Sequence, residues 1–413
     1  MIEKNFFLYV LSLLLLSACM GDGRQEAVKN MPMFAPNDVK VIDIDKAKPV
    51  DRLFFSSLFD APDVVVLETK DECLLQNIRS IELYRNNIYL LDERTNGLYV
   101  FDMYGNYRHR IGQAGNGPGE YIEISDFSID RERGVVCLWD RALHAVHIYD
   151  LNTRKFQASQ KVADAGVANN SMVYLHNRFY IEGDVASGEK PAWLLKEIDA
   201  STGQLCGVGL PATDYNNGWN YPVRLPQSCF YSKHSNAPKF VGLFSDTIVS
   251  ITPHGLFPSY VVKSKDFVSA ADVKGLSDYY QVHGHSDFTS IYEAGKIHSL
   301  SRIVEVAGMV SFEYYKGEDR FYLFHDTLTD ETQITEFFIN DYVSEQQIFP
   351  MPLCYSDDEW VVSVLQTEYI PPFKSMIVDK ALLNVGIDEY EALKLLADDA
   401  NPVLFFHKAK VDR

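Results

Sequence analysis

The 413-residue chain has few of the features that identify a nucleic-acid-binding protein or a common type of enzyme. No cluster of lysine and arginine occurs, and the 57 acidic against 38 basic residues give a formal net charge of −19. A protein that neutralises phosphates needs a basic face, so we expect no nucleic-acid partner. A G-x-S-x-G elbow and a C-x-x-C pair are also missing, so neither a hydrolase elbow nor a cysteine zinc site is predicted.

Long apolar runs are equally scarce, and the clearest one lies at the N-terminus. It extends from Phe6 to Leu16 and is shorter than the roughly 20 residues that a membrane span needs. Leu16-Ser17-Ala18-Cys19 follows at its end and resembles the lipobox of bacterial lipoproteins. That resemblance implies that residues 1–18 are a lipoprotein signal peptide and that Cys19 is lipidated. The alternative is an ordinary secretory signal in which Cys19 happens to lie near the cleavage point.

Met20 stands where an inner-membrane retention signal would have aspartate, so we expect an outer-membrane lipoprotein of the cell envelope that faces either the periplasm or the outside. Residues 19–37 are predicted to be a flexible tether. The five cysteines after Cys19 are widely spaced and odd in number, so at least one is unpaired. Cys137, within an apolar strand, is predicted to be a buried free thiol.

Convincing helical periodicity is confined to the segment after Asp388, whereas strand patterns recur along the chain. Two strands that end in aspartate, 88–92 and 98–102, return as 135–140 and 145–150. The offset of 48 residues between Asp92 and Asp140 is the size of one β-propeller blade. We therefore predict an all-β fold for residues 38–413, a six-bladed β-propeller of four-stranded antiparallel blades with small helical insertions.

The later blades repeat less clearly. The sixth is expected to begin at Trp360 and to be completed by residues 402–406 and an N-terminal strand, which removes open sheet edges. Insertions are expected at 263–300, with a helix-compatible stretch, and at 370–399, with a helix from about Asp388 to Ala397. Function specific to this chain is expected where the repeat breaks, at 207–236, 263–300 and 370–399.

The segments 88–121, 244–248 and 401–404 resemble the bacterial six-bladed β-propeller lipoproteins related to NHL and TolB-like propellers. The resemblance covers nearly all of residues 38–413 and is strongest in residues 64–150. It implies a secreted, lipid-anchored ring. It implies no established catalytic residues.

Repetition also assigns structural roles to two groups of residues. The strand-end aspartates Asp92, Asp102, Asp140 and Asp150 recur in each copy, so we interpret them as turn-forming residues and not as paired catalytic carboxylates. The Asn116–Glu120 loop lacks the lysine and the strand–helix context of a phosphate-binding loop. We expect its glycines to supply positive φ where one blade passes to the next.

Two local patterns are candidate ligand sites. His283 and His285, two residues apart on an extended segment, would project to the same side, and Asp287 could complete a metal site. A solvated loop is the alternative. Trp219 and Tyr221 lie beside asparagine and aspartate and could stack on a sugar or hold a partner, although loop aromatics also pack on their own domain.

The sequence favours a non-enzymatic binding or scaffold module, tethered to the membrane through its N-terminal lipid, for a glycan, a peptide or an envelope protein. No cofactor is predicted. The alternative is a metal-dependent propeller enzyme, lactonase- or lyase-like, with calcium or zinc in the central channel. That alternative requires polar side chains of several inner strands to converge, and the candidates are Glu82, Asp126, Glu305 and the pair Asn169–Asn170.

Overall fold

The computed structural model describes residues 27–34, 39–163, 171–183, 192–221, 228–344, 350–376 and 386–410. Residues 1–18, Cys19 and the pair Asn169–Asn170 lie outside these ranges. The first five strands are short: β1 (Lys29–Asn30), β2 (Lys40–Asp43), β3 (Lys48–Pro49), β4 (Leu53–Phe54) and β5 (Asp63–Val66).

Six four-stranded antiparallel sheets then follow one another around a ring, which confirms the predicted six-bladed propeller. Blade 1 comprises β6 (Ile78–Tyr84), β7 (Asn87–Asp92), β8 (Gly97–Asp102) and β9 (Tyr107–Ile111). The pair β10 (Gln113–Ala114) and β11 (Glu120–Tyr121) precedes blade 2, which comprises β12 (Ile124–Asp130), β13 (Val135–Asp140), β14 (Ala145–Asp150) and β15 (Phe156–Lys161).

The next two blades are formed in the same order, from the inner strand outward. Blade 3 comprises β16 (Met172–Leu175), β17 (Arg178–Glu182), β18 (Trp193–Asp199) and β19 (Leu205–Pro211). Blade 4 comprises β20 (Phe230–Tyr231), β21 (Lys239–Phe240), β22 (Thr247–Thr252) and β23 (Gly255–Lys263). Blade 5 comprises β24 (Ile297–Val306), β25 (Met309–Lys316), β26 (Asp319–Asp326) and β27 (Thr332–Thr335).

Both chain ends close the ring at blade 6. After β28 (Phe338–Ile339), this blade comprises β29 (Leu353–Ser356), β30 (Val361–Leu365) and β31 (Val403–His407). The N-terminal strand β5 is its outer strand, since Val66 pairs antiparallel with Val403. The predicted closure is therefore confirmed, but the predicted start at Trp360 is wrong, because the inner strand is Leu353–Ser356.

Six hydrophobic clusters fill the spaces between neighbouring blades. Alternate residues of one strand serve different clusters: Ile88 and Leu90 pack toward blade 6, whereas Tyr89 and Leu91 pack toward blade 2. This follows from the period of two in a strand. A strand that is buried on both faces must be apolar throughout, which is why β7 and β13 are continuous hydrophobic runs.

Residues 29–34 and 39–54 form an N-terminal belt on the outside of the ring. Strands β1, β2 and β3 each add a parallel fifth strand, to β19, β23 and β27 respectively. Strand β4 pairs with β28. Part of the range predicted to be a tether, residues 29–34, thus lies against blades 3 and 4, and the belt covers sheet edges that would otherwise be open.

All long connections emerge at one end of the ring, which we call the loop face. Four antiparallel strands return the chain to the end where the blade began, so every link between blades lies there. The loop face carries α2 to α6, whereas the four-residue α1 (Phe55–Leu58) lies between β4 and β5. The bounds are α2 (Ala212–Tyr215), α3 (Ala270–His283), α4 (Thr289–Glu293), α5 (Ile370–Met376) and α6 (Ile387–Lys394). Each of the two predicted insertions therefore contains helices.

The strand-end aspartates accept hydrogen bonds from backbone amides of the turns. Asp92, which is fully buried, accepts from Gln76 and Asn77 at 2.7 Å each and from Thr95 at 2.8 Å. Asp140 accepts from Ile122 at 2.7 Å. Asp102 and Asp150 cap the opposite turns in the same way. In the glycine-rich connection, Gly112 and Gly119 have φ of +63° and +79°. The turn role predicted for the aspartates agrees with these contacts, whereas of the two glycines in the Asn116–Glu120 loop Gly119 has a positive φ and Gly117 does not.

Candidate functional site in the central channel

A cavity of about 70 Å³ lies in the channel and is lined by residues from blades 1, 4, 5 and 6. The charged side chains of its lining are predominantly basic. They are Arg79 and Glu82 on β6, Lys233 after β20, and Arg302 on β24, and His234 lies beside them. Each position faces the channel because the inner strands of neighbouring blades meet there.

The first buried pair joins blades 2 and 4. Lys233 Nζ lies 2.5 Å from Asp126 Oδ1, and the two side chains are 5% and 2% exposed. The Asp126 carboxylate also accepts from the Met172 amide at 2.9 Å and from Ser228 Oγ at 3.3 Å. Asp126 therefore has its hydrogen-bonding capacity used within the protein, and the pair holds three blades together.

The second ion pair joins blades 1 and 2, and its carboxylate is buried while its arginine is partly exposed. Arg131 Nη2 donates to Glu82 Oε2 at 3.0 Å and to the Leu83 carbonyl at 2.8 Å. Burial raises the pKa of Glu82, and the charge of Arg131 opposes that rise. Burial likewise raises the pKa of Tyr355, with a further contribution from Glu82.

A β-bulge aims Arg302 into the channel. The register of β24 against β25 shifts between Ser301 and Val304, and Arg302 has φ of +52°. Such bulges re-aim side chains. Arg302 Nη1 lies 3.4 Å from Cys354 Sγ, and Nε lies 3.4 Å from Glu313 Oε1. Although burial alone would lower the pKa of Arg302, Cys354 and Glu313 raise it overall.

Arg79 is the least completely paired of these cations. Its side chain is 6% exposed, and Nη1 lies 3.8 Å from Glu93 Oε1, which is beyond hydrogen-bonding distance. Nε and Nη2 are buried and have no hydrogen-bond partner among the described residues. The two nitrogens share one edge of the guanidinium, so a residue of the cavity lining has a buried edge with two donors unpaired among the described residues.

The convergence required for a metal-dependent enzyme is met only in part. Glu82 and Asp126 lie at the channel, but each forms an ion pair. Glu305 lies away from the cavity, between blades 4 and 5, where Tyr260 donates to it at 2.8 Å and Lys239 lies 3.2 Å away. Across the described ranges, no group of three or more histidine, cysteine or acidic residues could hold a metal ion.

The structure separates the histidines that were candidate metal ligands. His283 ends α3, and its ring stacks on Tyr279 with 4.0 Å between centroids. Gly284 then turns the chain with φ of +76°, so the segment is not extended as predicted. Asp287 accepts from the amide and hydroxyl of Thr289. The rings of His283 and His285 lie 6.2 Å apart, and these residues form no ligand cluster.

The exposure predicted for Trp219 is wrong. Its side chain is 2% exposed and packs in a cluster that includes Val268 and Leu276 below α3. Tyr221 is half-buried, with its ring 4.2 Å from that of Tyr280, and its hydroxyl accepts from Gln281 at 2.8 Å. The loop aromatics dock α3 on the propeller, which is the packing alternative stated for them.

The cysteines of the described residues are all free thiols, and Cys137 is buried as predicted. Burial raises the pKa of Cys137 to about 12, so this thiol is protonated and unreactive. No helix in the described residues is long and apolar enough to cross a membrane.

Sequence reasoning missed Arg79, Lys233 and Arg302. Arg79 and Arg302 each interrupt an otherwise β-like inner strand, but they stand at different positions of their strands and the other four inner strands have no arginine or lysine, so the repeat gives no signal for them. Lys233 lies in the region where the repeat is weakest, so alignment of the blades gave no register for it.

The fold and the channel define a six-bladed β-propeller with a mainly basic central cavity. The chain belongs to the family described as Domain of unknown function (DUF4934), whose model matches residues 39–408. No curated protein matches it. The narrower relation to NHL and TolB-like lipoproteins stays a prediction.

The solved structures that resemble the chain include two from Bacteroides species. One is the "Putative exported protein" of Bacteroides fragilis NCTC 9343, with a TM-score of 0.68 and 18% identity, covering 90% of this chain and 100% of its own. The other is a member of the DUF4221 family from Bacteroides vulgatus ATCC 8482, with a TM-score of 0.46 and 8% identity, covering 85% of this chain and 98% of its own. The first likeness establishes the fold alone.

Proposed function

We propose that this protein is an exported, lipid-anchored binding module of the cell envelope, which holds a glycan, a peptide or an envelope protein at the loop-face mouth of the channel without transforming it. Export is supported by the sequence from Phe6 to Cys19 and by the description of the B. fragilis structure as exported. Attachment to the outer membrane is supported by Met20 after Cys19.

The observation that supports a binding function over an enzymatic one is the pairing of the channel carboxylates. Glu82 and Asp126 are each neutralised by a cation of the same protein. A buried carboxylate that is paired in this way is neither a poised general base nor a free metal ligand. The described strand ends place the connections between blades at the loop face, and loops carried on a rigid scaffold are where binding sites commonly form.

The anchor is tested with Cys19→Ala expressed in a bacterium that makes lipoproteins. The wild-type protein should fractionate with membranes and incorporate labelled palmitate, whereas Cys19→Ala should be released and unlabelled. Cys206→Ala is the matched control and should behave as wild type. Retention of Cys19→Ala in the outer membrane would contradict the lipid anchor.

The non-enzymatic nature of the proposed function is tested on the purified protein without its lipid. Metal analysis after dialysis should find no stoichiometric calcium or zinc. A stoichiometric, tightly held ion, or turnover of a lactone or glycan substrate that chelation abolishes, would contradict the non-enzymatic proposal and would favour the metal-dependent alternative.

A further inference from the structure

The sign of the charge in the channel is opposite to that of the whole molecule. The chain has a formal net charge of −19, yet Arg79, Lys233 and Arg302 line the cavity against a single acidic residue, Glu82. A cleft with low-dielectric walls focuses the field of its own charges. Carboxylates beside the lining offset much of this positive charge, so any attraction for an anion is centred on the cation with the weakest pairing.

Three of the four cations around the channel have a close carboxylate partner. Lys233 has Asp126 at 2.5 Å, Arg131 has Glu82 at 3.0 Å, and Arg302 has Glu313 at 3.4 Å. Arg79 differs, because Glu93 lies 3.8 Å from its Nη1 and its other edge has no partner among the described residues. A buried donor without an acceptor is costly, so this edge requires one.

The geometry of that edge selects the acceptor. Nε–H and Nη2–H of a guanidinium point in parallel and match the two oxygens of a carboxylate, which they bind with two hydrogen bonds. Both nitrogens lack accessible surface in this structure, so a carboxylate in the cavity of about 70 Å³ reaches them when the Arg79 side chain turns this edge toward the cavity. Arg79 is the second residue of β6, near the loop face, so a ligand can present its acidic group from that mouth.

We propose that Arg79 binds the carboxylate of a small organic acid or acid sugar in the central channel, through a bidentate contact to Nε and Nη2. This inference rests on the proposed function, since it names the chemistry of the ligand that the channel holds. Arg302 and Lys233 are engaged by their own carboxylate partners, which leaves the contact to Arg79.

Calorimetric titration at constant ionic strength tests the proposal with four probes. Sodium glucuronate and sodium acetate both present a carboxylate, glucose is the neutral match of glucuronate, and sodium phosphate is a different anion. Saturable binding of glucuronate or acetate, with none of glucose, is expected. Phosphate that binds as well as either carboxylate would show a general anion site and overturn the carboxylate assignment.

Variants assign the binding to Arg79. Arg79→Gln should weaken carboxylate binding at least tenfold, and Arg79→Lys should also weaken it because an ammonium makes no parallel pair of bonds. Arg94→Gln is the matched control, since Arg94 is exposed in the turn next to Glu93, and it should bind as wild type. Unchanged binding by Arg79→Gln would overturn the proposal.

A measurement on the wild-type protein covers the case in which the variants do not fold. The side-chain Nε–H resonance of Arg79 should shift on addition of glucuronate, and an unshifted resonance at saturation would overturn the proposal. Binding of another ligand class without any carboxylate binding would remove this inference and leave the proposed function standing. Turnover of a bound carboxylate would instead remove the non-enzymatic function.

Discussion

At the level of single residues, most of the described channel charges form ion pairs that hold blades together, whereas Arg79 has a whole edge unpaired among the described residues. Lys233, Asp126 and Glu82 are buried in close pairs, and the partner of Glu82, Arg131, is partly exposed. Breaking one member of such a pair leaves an uncompensated buried charge, which is far more costly than the loss of an exposed pair.

Lys233→Met should lower the free energy of unfolding by about 3–5 kcal/mol, because it leaves the Asp126 carboxylate buried beside backbone amides without its cation. Chemical denaturation measures the change. Lys274→Met is the matched control, since the Lys274–Asp278 pair is exposed on α3, and it should cost less than about 0.5 kcal/mol. Equal effects in the two variants would contradict a structural role for the buried pair.

His407 makes stability depend on pH. Burial lowers the pKa of His407 to about 3, whereas an unfolded histidine has a pKa of about 6.5. Between these values the unfolded chain binds a proton that the folded protein excludes, so the free energy of unfolding falls as the pH drops below about 6.5. His407→Phe should reduce that slope by up to about 1.4 kcal/mol per pH unit.

Denaturation midpoints of wild type and His407→Phe, measured from pH 8 to pH 4, test this prediction. The two plots of midpoint against pH should run parallel above pH 7, which serves as the internal control. Below pH 6 the midpoint of the wild type should fall more steeply than that of His407→Phe. The rings of Phe55 and Phe59, 5.1 and 5.6 Å from that of His407, provide the apolar surroundings that the substitution keeps. Parallel curves down to pH 4 would contradict the assignment.

At the level of elements, the aspartates that end strands stabilise the fold to different degrees. Aspartate ends the second strand of blades 1 and 2 at the loop face and the third strand at the opposite end. Asp92 is buried and accepts three backbone hydrogen bonds, whereas Asp150 accepts from Asn152 and Thr153 in an exposed turn. The repeat reveals the turn role of both, but not the difference in burial.

Asp92→Ala should therefore lower the free energy of unfolding by more than about 2 kcal/mol, since it leaves several buried amides without an acceptor. Asp150→Ala should cost less than about 1 kcal/mol, because water can replace the lost bonds. Thermal and urea unfolding of the two variants measure the contrast. A larger loss for Asp150→Ala would contradict the burial argument.

The sequence predicts elements best where both faces of a strand are buried. Strands β7, β8, β13 and β14 are apolar throughout and repeat, so their order and turns could be predicted. Strand β29 was missed because it has four residues close to Pro350 and Pro352. Strands β1 to β3 were not predicted as fifth strands, because parallel edge pairing between distant segments has no local signal.

Arg79 could not be predicted for a related reason. Its significance depends on neighbours from blades 4, 5 and 6, which are 150 or more residues away in the chain. Trp219 shows the converse, since its polar sequence neighbours indicate exposure while the packing of α3 buries it. Local pattern predicts blades, but a channel is made of contacts between blades.

At the level of the whole molecule, one buried side chain supports the ring closure that the pairing of β5 with β31 forms. The Asn401 amide oxygen accepts from the Leu75 amide at 2.7 Å, and its Nδ2 donates to the carbonyls of Glu68 and Cys73 at 2.8 Å each. Asn401 thus joins the start of β31 to the segment that leads from β5 into blade 1.

Asn401→Asp should lower the free energy of unfolding by at least about 2 kcal/mol, because a carboxylate oxygen would face two carbonyl oxygens. The matched control is Asn87→Asp, whose amide donates to the Arg85 carbonyl in an exposed turn, and it should cost less than about 1 kcal/mol. Denaturant titration checks both, and a loss for Asn401→Asp no greater than for the control would contradict the role of Asn401 in closure.

The central claim for the whole molecule is that the channel binds a ligand. The most direct test is a pair of crystal structures, one of the protein soaked in glucuronate and one of the protein soaked in glucose. We predict planar density that bridges Nε and Nη2 of Arg79 in the glucuronate crystals and not in the glucose crystals. Identical density at Arg79 in both, or glucuronate bound elsewhere on the propeller, would contradict the account.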